Sequence, residues 1–109
     1  MILAVEVDAG KIEDWSSFHS VFAEAFGFPD FYGRNLDAWI DCMSRLDDDD
    51  FNRVHVAEGD LIFLDLQNAN ALKTAAPEIL YALLEMAAFV NHRRVEIGLP
   101  AILILSCYA

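Results

Sequence analysis

Three runs along the chain are almost wholly apolar and short enough to be buried strands: 2–7 (Ile-Leu-Ala-Val-Glu-Val), 61–66 (Leu-Ile-Phe-Leu-Asp-Leu) and 101–105 (Ala-Ile-Leu-Ile-Leu). Between them the apolar period changes. Trp15, Phe18, Phe22 and Ala25/Phe26 recur at intervals of three and four, and so do Leu36, Trp39, Ile40, Met43 and Leu46. Ile79, Leu80, Leu83, Leu84, Met86, Ala87 and Val90 make a broader stripe. Each set forms one face of a helix. The pattern predicts strands near 2–7, 61–66 and 101–106, and helices near 14–26, 36–46 and 76–93. Strands alternating with helices pair in parallel through right-handed crossovers. The expected fold class is therefore α/β: a small three-stranded parallel sheet with helices packed against it, and Trp39 and Met43 buried against the sheet.

Polar and breaker residues sharpen these limits. Asp14 or Ser16 can cap the first helix, Gly27 suits its end, and Pro29 forbids continuation. Gly33 allows a tight bend, and Asn35 is a good N-cap for the helix that follows. Proline is tolerated at the start of a helix, which places the long one at 76–77. The cations of Asn91-His92-Arg93-Arg94 sit near its negative end. Gly98 and Pro100 turn the chain into the last strand. The segment 67–73 reads as a connector with one helical turn, and 51–58 as a brief extended piece.

Length fits one domain, 1–109, and no repeat or linker divides it. A chain of this size buries a core without disulfide or metal. No apolar run approaches the roughly 20 residues of a membrane span. The start carries Glu6 and Asp8 and no basic segment, so it does not read as a signal peptide, and a cytoplasmic address is expected. Cys42 and Cys107 read as free thiols acting as small hydrophobes. The net charge is −11. Nucleic acid repels such a chain, whereas a cationic protein is drawn to it.

The polar residues of 36–46 are not scattered. Asp37, Asp41, Ser44 and Arg45 lie opposite the apolar arc, with Ile40 at the border. Asp37 and Asp41 are neighbours one turn apart, and helix stability alone does not ask for two adjacent like charges. A solvated acidic face is one reading; a surface shaped for a cationic groove is the other. Asp47-Asp48-Asp49-Asp50 reads as an exposed acidic loop, because the glycine and distal glutamate of a calcium loop are missing. His19, beside the apolar stripe of its helix, reads as a structural hydrogen-bonder; His55 has no local partner that would make it catalytic; His92 reads as a capping or surface residue. No Gly-rich phosphate loop, nucleophile elbow, Cys-x-x-Cys or His-Glu-x-x-His occurs. No enzyme, cofactor or metal is expected.

One stretch carries a specific resemblance. The chain has Pro29, Asp30, Tyr32, Gly33, Asn35, Leu36, Asp37, Ala38, Asp41 and Cys42 at fixed offsets. It resembles the barstar family, intracellular protein inhibitors of the ribonuclease barnase, whose pattern is Pro-acid-Tyr-Tyr-Gly-x-Asn-Leu-Asp-Ala-x-x-Asp-Cys-Leu. Weaker similarity covers 12–19 and the strand ending at Ser106, with a longer insertion between Leu46 and Asp60.

The resemblance implies a ribonuclease inhibitor whose helix and preceding turn plug the nuclease active site. Its partner-binding residues would be Phe31, Tyr32, Gly33, Asn35, Leu36, Asp37, Ile40, Asp41 and Ser44. The carboxylate of Asp41 would stand in for an RNA phosphate among cationic side chains, and Asp37 would add a second anionic contact. The implied partner is a basic, barnase-like ribonuclease in a 1:1 complex. The alternative is an immunity or regulatory module for a cationic protein that is not a ribonuclease. Phe31, Ile40, Arg45 and Leu46 depart from the family. Phe31 lacks one phenol hydroxyl, Ile40 replaces a tryptophan, and Arg45-Leu46 replace glycine and tryptophan. Arg45 puts a cation on a face meant for cations, unless it pairs with Asp41 one turn away.

Overall fold

In the computed structural model, which describes residues 1–108, the three apolar runs become strands β1 (Ile2–Asp8), β2 (Leu61–Gln67) and β3 (Leu103–Cys107). They pair in parallel in the order β1-β2-β3. Helices α1 (Trp15–Phe26) and α2 (Leu36–Met43) lie on the first crossover, α3 (Ala69–Ala75) and α4 (Pro77–Glu96) on the second. Register places Leu3, Ile62 and Leu103 in one row and Val5, Leu64 and Leu105 in the next. This face is the buried one. The alternate positions Ile2, Ala4 and Glu6 of β1 are exposed, as a side-chain period of two requires.

The helices fill the buried face with large side chains. Phe18, Phe22 and Phe26 of α1 and Trp39 and Met43 of α2 are fully buried, together with Leu46, Ile62, Leu64, Leu72, Ile79 and Leu83. Burial of each such side chain stabilises by about 1.5–3 kcal/mol. Trp39 and Met43 are inside the core as expected. The ring neighbours of Trp39 are those of α1: Phe22 edge-on at 5.5 Å and Phe18 at 6.0 Å between centroids. Helix α2 also packs on α4.

Helix limits follow their caps. Asp14 accepts from the Ser17 amide at 2.8 Å while Ser17 Oγ accepts from the Asp14 amide, a reciprocal box at the start of α1. Gly27 ends α1 in the left-handed conformation, φ 64°. A Cβ there would stand 2.4 Å from Arg53 Cβ, so only glycine fits.

Several limits differ from the pattern. Helix α2 stops at Met43 rather than at 46: the Arg45 amide donates to the Cys42 carbonyl only three residues back, and the buried Asn52 side chain donates to the same carbonyl. Leu46 is buried even so. The connector after β2 is a real helix, α3, built from alanine-rich sequence and docked through Ala69 and Leu72. Helix α4 runs on to Glu96. Strand β3 begins at Leu103, since Asn91 Oδ1 accepts from the Ile102 and Leu103 amides. The segment 51–58 is loop, not strand. It is tied to the ends of α1 and α2 by Arg53 N to Gly27 O, Val54 N to Phe26 O and Val56 N to Leu46 O. Asn52 is buried and donates to the Cys42 carbonyl at 2.8 Å. Among the described residues, no helix is long and apolar enough to cross a membrane.

Candidate partner-binding face

All nine residues singled out from the sequence sit on the turn before α2, on α2 itself, or at its end. Asn35 caps the helix: its Oδ1 accepts from the Ala38 amide at 2.8 Å. Asp37 occupies the first turn, where the helix dipole favours a carboxylate. Burial of Trp39, Cys42 and Met43 fixes the rotation of the helix, and both Asp37 and Asp41 are thereby exposed. Ile40 is half-buried, in keeping with its border position. Leu36 belongs to the apolar arc by spacing, yet it is 40 % exposed. It lies at the helix start, beyond the core that covers Trp39 and Met43. Phe31 is 76 % exposed, Gly33 is exposed, and Tyr32 and Ser44 are half-buried.

The turn is fastened to α1 by polar contacts that the hydrophobic pattern gives no sign of. The Tyr32 hydroxyl is hydrogen-bonded to Nδ1 of His19, which is buried. Burial, with the nearby Arg34 charge, pulls the His19 pKa below its ordinary value, so the ring is neutral at neutral pH. Burial raises that of Tyr32, which keeps its phenol proton. His19 is thus a structural hydrogen-bonder, as a lone histidine beside an apolar stripe suggests. The bend itself falls on a residue other than the expected one. Arg34, not Gly33, takes the left-handed conformation, φ 53°. Its guanidinium donates to the Ser16 carbonyl at 2.9 Å and to Ser20 Oγ at 3.1 Å, which holds a conformation uncommon for a non-glycine residue.

The far end of α2 is fastened as well. Arg94, at the end of α4, is buried and donates to the Ser44 carbonyl at 2.8 Å and the Pro100 carbonyl at 2.9 Å. Its guanidinium also grips Asp47 through two bonds, at 2.8 and 3.2 Å. Asp47 is therefore not part of an exposed acidic loop, whereas Asp49 and Asp50 are exposed. Nothing in a run of four aspartates marks which one is paired. Cys42 is buried, and its thiol is pushed up to about 11 by desolvation first and the Asp41 charge second, so it is inert at neutral pH. Cys107 is half-buried rather than buried.

Arg45 resolves its apparent conflict with the acidic face locally. It lies 4.0 Å from Asp41, the expected pair, and closer to Asp48, at 3.2 Å. Its guanidinium carbon sits 3.8 Å from the centre of the Phe51 ring. The carboxylates of Asp48, Asp49 and Asp50 come within 4.8 Å of one another, but Asp48 is engaged by Arg45 and its other two members face water. His55 and His92 are exposed, the latter 3.2 Å from Glu96. Three open crevices, one of them about 290 Å³ and lined by Glu6, Asp8, Lys11 and Glu24 among others, include neither Asp37 nor Asp41. The two carboxylates are exposed and line none of the three.

A family model described as Barstar (barnase inhibitor) matches residues 2–100. The match runs from the start of β1 through the whole of α4. No curated protein matches the chain significantly.

Proposed function

The chain belongs to the barstar family, a family of barnase inhibitors, and from that membership we propose that it inhibits a barnase-type ribonuclease by filling its active site. The binding surface is the turn carrying Phe31, Tyr32 and Gly33 and the helix carrying Asn35, Leu36, Asp37, Ile40, Asp41 and Ser44. A ribonuclease site holds cationic side chains to bind phosphate. Asp41 takes the phosphate's place among them and Asp37 supplies a second anionic contact. The complex is 1:1, formed by a single domain in the cytoplasm.

The observation that carries this reading is the exposed Asp37/Asp41 pair on a short helix held at both ends. Asn35 caps the start, Arg94 grips the end, and the turn is fastened to α1. Carboxylates on so fixed a support lose little freedom on binding, which leaves more of the interaction energy as affinity.

The test pairs an inhibition titration with a urea melt, using a panel of barnase-type ribonucleases that includes barnase. Wild-type protein should abolish RNA cleavage at one equivalent of at least one enzyme. Asp41→Ala should leave stability within about 0.5 kcal/mol, as at other surface positions. Its affinity should drop by roughly 2–5 kcal/mol, the range known for truncated interfacial charge pairs, barnase and its inhibitor among them. A melt that shifts while the folded fraction inhibits normally would make Asp41 structural. Binding to a basic protein without any effect on a ribonuclease would favour an immunity or regulatory module instead.

A further inference from the structure

The acidic face does not end at Asp41. From Asp41 a chain of contacts runs through Arg45, 4.0 Å away, to Phe51, whose ring centre lies 3.8 Å from the Arg45 guanidinium carbon. Phe51 in turn meets Phe31 edge-on, with ring centroids 5.9 Å apart and planes at 68°. Phe31 belongs to the turn before α2, so the contacts close a loop from the end of the helix back to its beginning. Two links of that loop, Arg45 and Phe51, lie outside the residues that the family pattern supplies. Phe51 comes from the insertion between Leu46 and Asp60.

We propose that Arg45 and Phe51 are specificity-determining contact residues, which with Phe31 form an aromatic half of the binding surface beside the acidic half. The inference rests on the inhibitor reading above. Its occupant is the rim of the same ribonuclease site: an apolar or aromatic side chain next to the phosphate-binding cations. Three features support this. Phe31 is 76 % exposed, a large ring with one edge-on neighbour and much of its surface left for a partner to cover. Arg45 does not repel a cationic partner as a free guanidinium would, because Asp41 and Asp48 offset its charge on either side. Seated over the Phe51 ring with its side chain 45 % exposed, it remains accessible to a stacking partner. Finally, Phe51 is half-buried and packed on the core, so the patch is ordered before the partner arrives. Exposed aromatic anchors beside charged pairs are where interface energy concentrates. A nuclease lacking an apolar rim would gain the phosphate-mimic contacts and lose these.

The experiment uses the full chain and the ribonuclease that it inhibits most strongly in a panel including barnase. Inhibition constants are compared for wild type, Asp41→Ala, Arg45→Ala, Phe31→Ala, Phe51→Leu, Phe51→Tyr and the Phe31→Ala/Phe51→Leu double variant, each with a urea melt. Phe51→Leu keeps apolar bulk in the core and removes the ring. Phe51→Leu and Arg45→Ala should each weaken inhibition by about tenfold, and Phe51→Tyr should retain it. The double variant should lose less than the product of its single losses, because the two rings act as a unit. If Asp41→Ala weakens inhibition while Phe51→Leu and Arg45→Ala stay within about twofold of wild type, the aromatic half is overturned and the acidic half stands. If wild type inhibits no member of the panel, the inhibitor reading falls and this inference with it.

Discussion

His19 is buried, and its ring is bonded to Tyr32 of the turn that leads into α2. Its pKa is lowered from the ordinary 6.5, mainly by burial. As pH falls, the unfolded chain therefore takes up this proton before the folded one does. The contribution of His19 to stability is full above the ordinary histidine range. It shrinks as pH falls below that range and levels off under the folded pKa. Urea melts between about pH 7.5 and about pH 5 should show declining stability on the acid side. His19→Gln should remove that part of the slope. An unchanged slope in His19→Gln would show that His19 is not the group responsible.

At the scale of elements, α2 has only eight residues, too few to be stable alone. It persists because both ends and one face are held. The cap at Asn35 is worth about 1 kcal/mol by the usual cost of replacing such a residue with alanine. The Arg94 clamp should matter more, since one guanidinium serves Ser44, Pro100 and Asp47 together. Arg94→Ala should destabilise by about 3 kcal/mol, the lower end for breaking a buried ion pair, because Asp47 keeps some contact with water. Arg94→Lys should recover little of it, as an ammonium cannot reproduce a two-pronged grip on a carboxylate. Chemical denaturation of the two variants beside Asn35→Ala decides the ranking. Equal losses in all three would mean that the clamp adds nothing beyond an ordinary polar contact.

For the whole molecule the dominant quantity is the net charge of −11. A cationic partner feels that field before any contact forms. The association rate with a basic ribonuclease should fall steeply as salt rises from low ionic strength past about 0.1 M, where the screening length is about 10 Å. The dissociation rate should change less, since close contacts set it. Stopped-flow measurements across a salt series separate the two rates. An association rate insensitive to salt would show that the acidic surface does not steer the encounter.

The layout was legible in the chain before folding. Short, almost continuous apolar runs, stripes with period three to four, the caps at Asp14 and Asn35 and the proline that opens α4 are local signals. They placed three strands and three of the four main helices to within a few residues. The rotation of α2 was legible for the same reason, since Trp39 and Met43 must turn inward and Asp37 and Asp41 then turn outward. The remaining contacts join residues distant in the chain. No spacing rule pairs Arg94 with Asp47 across 47 positions, or selects Asp47 from four identical neighbours. None tells that Arg34, held by Ser16 and Ser20, carries the left-handed bend in place of Gly33. The placing of Phe51 beside Phe31 and beneath Arg45 is of the same kind. Hydrophobic periodicity reports which way a side chain faces, because burial is nearly independent of which apolar neighbour does the burying. A polar contact depends on one particular partner at one distance and angle, and only the folded chain supplies that.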